Sequence, residues 1–183
     1  MGKITKIGLT GRARAGKDQV AYYLRDNYGY SQFTFGDELK HFVHGLFGKP
    51  ASGTKPRELY QWFGQTMRQR DPDIWTRKLF ENINSYCDPV DKIVISDARQ
   101  PNEIDRLRSE GFVIIRVNAS EATRRQRMID AGDTFTDADL DHETEQHVDT
   151  FAVDYELDNN GSVLDLYEQI DVVMREIMHR EAA

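Results

Sequence analysis

At 183 residues the chain fits one domain carrying inserted pieces. Its 24 Lys and Arg against 31 Asp and Glu leave a formal charge of −7, which excludes a broad basic surface for duplex nucleic acid and makes any anion site a local one. With 39% hydrophobic and 30% charged residues, there is enough apolar material for a packed core. No stretch approaches the roughly 18–20 apolar residues that span a bilayer, and Met1 to Thr10 alternates Lys with Ile unlike a signal peptide. Lys6 stands where a myristoylation motif wants Ser or Thr. Cys87 is the lone cysteine, so neither an intramolecular disulfide nor a thiolate zinc cage can form, and a reducing, cytoplasmic setting is expected.

In chain order, Ile4 to Thr10 predicts a buried strand ending at Gly11, and a helix follows from Lys17 to about Tyr28. Phe33 to Phe35 predicts a short second strand. Leu39, Phe42, Val43 and Leu46 recur at helical spacing between Asp37 and Phe47. From Arg57 to Asn84 the pattern is again helical, with a break at Asp71-Pro72. Ile93-Val94-Ile95 is a β-branched run closing on Ser96-Asp97. Asn102 to Glu110 predicts a helix and Phe112 to Val117 another strand. Ser120 to Val148 is charged, predicting helix with a mobile loop; Tyr155 to Leu157 is a last strand. Ser162 to Met178 is an amphipathic helix opened by a Ser162/Asp165 capping box. Strands alternating with helices predict an α/β fold of three layers, α/β/α, because parallel strands need crossover helices.

Gly11-Arg12-Ala13-Arg14-Ala15-Gly16-Lys17 matches G-x-x-x-x-G-K between a predicted strand and a predicted helix, the context in which that pattern cradles phosphates. The end glycines let the backbone curl so that N–H groups face phosphate oxygens, the helix N-terminus adds its dipole, and Lys17 supplies charge. Asp18 replaces the Ser or Thr that would ligate Mg²⁺ directly, so a carboxylate there would hold the metal through water or orient Lys17. Asp97 ends the third strand, where a second metal-organising carboxylate belongs, and Arg99 lies just beyond it at the sheet edge that takes ligands.

Several blocks together resemble the bacteriophage-type deoxynucleoside monophosphate kinases, a branch of the phosphate-loop nucleoside monophosphate kinases. They are the Gly16-Lys17-Asp18 ending, Phe35-Gly36-Asp37-Glu38-Leu39-Lys40, Arg57 to Gly64, Asp71-Pro72-Asp73-Ile74-Trp75, Ser96 to Glu103, His142-Glu143-Thr144-Glu145 and Asn159-Asn160-Gly161-Ser162. The loop and Ser-Asp-x-Arg element also look like animal-type phosphomevalonate kinase, but Gln100-Pro101-Asn102-Glu103 is closer to the deoxynucleotide group. The resemblance implies one kinase domain over 1–183, with a helical acceptor-binding region at 37–86 and a lid at 119–150. It also implies ATP as co-substrate, Mg²⁺, a nucleoside monophosphate acceptor, and a monomer or homodimer with no nucleic-acid or membrane partner.

Gly11 to Gln19, Asn160 and Gly161 would bind ATP, and Asp18 and Asp97 the metal. Asp37, Lys40, Arg57, Gln61, Arg68, Trp75 and Arg99 would bind the acceptor, with Arg57 and Arg68 on its phosphate. Gln61 would read a base edge, and Trp62 or Trp75 would stack on it. Spacing of three puts Arg124 and Arg127 on one helix face. As lid arginines they would join Lys17 and Arg99 in stabilising the transferred phosphoryl group. The non-enzymatic alternative is an ATP-binding regulatory module, against which those arginines count.

Other signals fail. Asp137, Asp139 and Asp141 imitate a calcium loop, but His142 replaces its glycine and Val148 its last ligand. His142 and His147 lack the spacing of a zinc helix, and His41 and His44 have no third ligand.

Overall fold

The computed structural model describes residues 5–51, 54, 56–85, 92–132 and 147–182. Its strands are β1 (Thr5–Thr10), β2 (Ser31–Phe33), β3 (Lys92–Ala98), β4 (Val113–Asn118) and β5 (Tyr155–Asp158). The helices are α1 (Lys17–Tyr28), α2 (Phe35–Phe47), α3 (Arg57–Arg70), α4 (Ile74–Asn84), α5 (Pro101–Ser109), α6 (Glu121–Asp130) and α7 (Val163–Ala182). The strands form one sheet in the order β2-β3-β1-β4-β5, and every pairing is parallel.

A parallel sheet is covered on both faces, so its strands are apolar on both sides. Ile7, Leu9, Val94, Ile95 and Ile114 are fully buried. On one face α1 and α7 contribute Val20, Leu24, Leu166 and Ile170. On the other, α2 to α5 contribute Val43, Phe63, Leu79, Ile104 and Leu107. The three-layer α/β/α expectation is met.

Local chemistry sets the element boundaries. Phe35 was expected in the second strand, but the strand ends at Phe33 and Phe35 opens α2. The start is early because the first amides of α2 already have acceptors. Thr34 Oγ1 takes the Asp37 N–H at 2.8 Å, and Asp97 takes those of Phe35 and Gly36 at 2.9 Å each. Pro72 separates α3 from α4, as its ring requires, and Asn102 Nδ2 ties that corner to α5 through Pro72 O and Asp73 Oδ1, both at 2.9 Å. The capping box of α7 forms as expected: the Ser162 N–H and hydroxyl donate to Asp165 Oδ2, and the Asp165 N–H donates back to Ser162 Oγ at 3.2 Å.

Of the charged stretch from Ser120 to Val148, α6 covers the first part and residues 133–146 lie outside the described residues, as does Cys87. The His142 block and Asp137, Asp139 and Asp141 fall there too. Arg116 on β4 fastens the segment that returns from that stretch, donating to the carbonyls of Val148 and Phe151 and to Glu156. Among the described residues no helix is long and apolar enough to cross a membrane.

Candidate active site

The sheet's central strand positions the site. Thr10 at the end of β1 pairs with Ala98 on β3 and with Arg116 on β4. Gly11 therefore leaves the sheet between the ends of both neighbours, the topological switch point where ligands sit in such sheets. Gly11 has φ +137°, and a Cβ there would lie 2.3 Å from Val117 O, so only glycine lets the chain pass.

Side chains engage several of the loop's carbonyls. Lys17, only 6% exposed, donates through Nζ to Gly11 O at 2.6 Å and Arg12 O at 3.0 Å. Asn159 Nδ2 donates to Ala15 O at 2.8 Å. Arg127 Nη1 donates to Arg14 O and Ala15 O at 3.3 and 3.4 Å, while its Nη2 reaches Asn159 O at 2.8 Å. Arg12 is pinned from outside by Asp149 at 2.7 Å. Arg14 at φ +60° and Gly16 at φ +106° complete the curl, and Gly16 begins α1 with no side-chain cap on the helix's amides. Positive φ at Gly11, Arg14 and Gly16 and the uncapped start of α1 give the loop the curled form in which backbone N–H groups can bind an anion.

Beside it, Asp97 and Arg99 lie at the end of β3. Both Asp97 oxygens accept backbone N–H groups from the start of α2. The carboxylate keeps partial exposure toward the cleft, yet desolvation by the surrounding protein pushes its pKa up against those hydrogen bonds and the nearby Arg99 charge. Asp18 is exposed on the first turn of α1 and faces the same cleft. Among the described residues no group of three or more His, Cys, Asp or Glu forms a ready metal cage.

The cleft that joins these parts has a volume of about 1490 Å³, beyond the roughly 300–1,000 Å³ of a pocket for one small ligand. Its floor holds Ala13, Arg14, Gly16, Lys17, Asp18 and Gln19. Its other wall, from α2, α3 and the end of β3, holds Asp37, Lys40, Arg57, Gln61, Arg68 and Arg99. Lys40 pairs with Asp37 at 2.7 Å. Desolvation opposes ionisation of Asp37, but hydrogen bonds from Lys40 and Thr34 hold its carboxyl below the usual range. Arg57 and Arg68 are eleven residues apart on one helix, about 16 Å along its axis at 1.5 Å per residue. Eleven residues is about three turns, so both lie on the same face of the helix and line this wall.

Four expected residues sit elsewhere. Trp75 is 2% exposed, with its indole N–H on Gly64 O at 3.2 Å, so it packs the core, while the exposed Trp62 lines the cleft. Arg124 is 5% exposed and sits inside the protein, whereas Arg127 reaches the loop. Asn160 braces the cap residue of α6, its Oδ1 accepting the Ser120 N–H at 2.7 Å, and Gly161 packs against Asp165. The neighbouring Asn159, not among the residues expected from sequence, makes the loop contact; a Cβ on Gly16 would lie 2.1 Å from its Nδ2. The turn Asn159-Asn160-Gly161 was visible in the sequence, but which asparagine faces a loop 144 residues away was not.

No family model matches the chain, and no curated protein matches it in sequence. Solved structures do match in fold. A gluconokinase from Sinorhizobium meliloti superposes with a TM-score of 0.63 at 16% identity, covering 98% of this chain and 97% of that one. A shikimate kinase from Acinetobacter baumannii, in complex with shikimate, gives 0.56 at 13% identity over 98% and 96% of the two chains. A sugar kinase from a Janibacter species gives 0.55 at 13% identity over 93% and 94%. The chain thus has the five-stranded parallel α/β fold of phosphate-loop kinases.

Proposed function

We propose that the chain is an ATP-dependent phosphotransferase that passes the γ-phosphoryl group to the phosphate of a nucleoside monophosphate, with deoxynucleotides as the preferred acceptors. The observation that carries this reading is the cleft itself. It runs from the Lys17 loop to a wall where Arg68 and Arg99, from different elements, face one space. A guanidinium donates paired hydrogen bonds that match a phosphate.

The residues fit ATP and Mg²⁺. The curled loop would take the β- and γ-phosphates, with Lys17 released from Gly11 O and Arg12 O to follow the charge. Asp18 and Asp97 would hold the metal, Asp97 through a bound water because both its oxygens already take N–H groups. Bound there, Mg²⁺ would supply Lewis-acid neutralisation of the charge that develops on the transferred phosphoryl group. The chain does the rest by positioning. Arg99 and Arg68 hold the acceptor phosphate so that one of its oxygens attacks the γ-phosphorus in line. The bond from that phosphorus to the β,γ-bridging oxygen breaks and ADP leaves. Arg127 keeps the loop in shape through Arg14 O, Ala15 O and Asn159. Gln61 and Trp62, on the wall between Arg57 and Arg68, suit a base edge and its face.

The acidic chain, at −7, supports small nucleotides rather than nucleic acid as ligands, and we take them from the cytoplasmic pool. ADP release measured with ATP, Mg²⁺ and a panel of nucleoside monophosphates, phosphomevalonate and sugar acids tests the reading. Turnover dependent on a nucleoside monophosphate is expected. Turnover only with phosphomevalonate or a sugar acid would replace the acceptor, and ATP binding with no transfer would leave a regulatory module.

A further inference from the structure

Glu103 is a buried carboxylate that the proposed chemistry does not use. It sits at the third position of α5, is 3% exposed, and accepts through Oε2 the N–H groups of Arg99 at 2.8 Å and Gln100 at 3.0 Å. That is half of a capping box, and capping needs no charge, because glutamine serves at this position as glutamate does. Burying an ionised carboxylate where an amide would do is costly. The charge has a separate partner: Oε1 accepts from Arg68 Nη2 at 3.4 Å. Arg68 belongs to α3, 35 residues earlier, and both it and Arg99 line the cleft. One carboxylate thus holds the backbone that carries one arginine and the head of the other.

We infer that Glu103 is a positioning residue for the acceptor anion, presetting Arg68 and Arg99 so that both guanidiniums meet the same ligand phosphate. This rests on the acceptor role proposed for those two arginines. A long arginine ordered before binding does not have to be ordered during it, and that difference is about fivefold in affinity for one rotamer-rich side chain.

The experiment is a double-mutant cycle between Glu103→Gln and Arg68→Ala, read with deoxynucleoside monophosphates at saturating ATP. Glu103→Gln keeps the cap and removes the charge. The expected result is an acceptor KM raised about fivefold, an ATP KM within about twofold, and no further rise when Glu103→Gln is added to Arg68→Ala. An unchanged acceptor KM, equal rises for ATP and acceptor, or a full additive effect in the Arg68→Ala background would overturn the inference and leave Glu103 as a helix cap. If the glutamine variant melts below the assay temperature, Glu103→Asp, which withdraws the carboxylate by one methylene, must show the same acceptor-specific rise. If no nucleoside monophosphate is turned over, the functional proposal fails on its own. The arginine geometry is then read from inorganic phosphate affinity with ADP saturating the loop: non-additive weakening in the same cycle upholds the inference, and unchanged affinity overturns it.

Discussion

The two walls of the cleft are built by different means. On the loop side, one contiguous segment, Gly11 to Lys17, forms the curl, and its carbonyls are held by its own Lys17 and by the distant Arg127 and Asn159. On the opposite side no segment is sufficient. Arg68 comes from α3, Arg99 from the end of β3 and Glu103 from α5, and they meet because the helical block between β2 and β3 folds back over the sheet. A site held in one loop tolerates variation in its surroundings. A site assembled from three elements depends on the packing that joins them.

That contrast orders the consequences of mutation. Lys17→Ala strikes the loop's only lysine, and transfer should fall by at least about 100-fold, since preorganised charge around the moving phosphoryl group supplies most of the rate enhancement in such catalysis. The fold should stay intact, at a stability cost of about 1–2 kcal/mol for the two hydrogen bonds lost to Gly11 O and Arg12 O. Retained turnover would remove the loop from the chemistry. Arg99→Lys keeps charge but loses the planar pair of donors, so kcat/KM should drop by about 1–3 kcal/mol for every accepted monophosphate alike. A loss confined to one base would assign Arg99 to base reading instead.

Asn159→Ala tests the brace on the loop. It removes the donor to Ala15 O and one acceptor of Arg127, which should cost about 1 kcal/mol of stability and raise the ATP KM more than the acceptor KM. Equal changes in both would show that the two walls are one mechanical unit.

The smallest effect is in the pH dependence of stability. Desolvation raises the Glu103 carboxyl above the ordinary 4.5, although the Arg99 amide and the Arg68 charge pull it down. In the window from 4.5 up to that raised value the folded state holds a proton that the unfolded state has released, so this group's contribution falls as pH rises. Glu103→Gln has no such proton to lose. Its melting temperature relative to the parent should therefore climb across that window, and a difference that falls or stays flat would contradict a desolvated carboxylate.

The same contrast explains what the sequence could reveal. The strand-loop-helix pattern around Gly11 to Lys17 is local, and so are the Pro72 break and the Ser162/Asp165 cap, which formed where the residues indicated. The beginning of α2 was misjudged because its amides are capped by Asp97, more than sixty residues later. Trp62 and Trp75 both have helical spacing, but only packing decides that Trp75 faces Gly64 in the core while Trp62 faces the cleft. Arg124 and Arg127 are three residues apart, yet one is buried and the other grips the loop. Glu103 stands in the sequence only as part of the Ser96 to Glu103 block; its cap of α5 and its link to Arg68 exist only in three dimensions.

The central claim is that one cleft brings ATP and a phosphate-bearing nucleotide together for direct transfer. Its most direct measurement is the product of a reaction run with γ-³²P-labelled ATP, Mg²⁺ and each deoxynucleoside monophosphate in turn. The account predicts label in the β-position of a deoxynucleoside diphosphate, formed in step with ADP. Label found only in inorganic phosphate, or in a non-nucleotide acceptor, would contradict it.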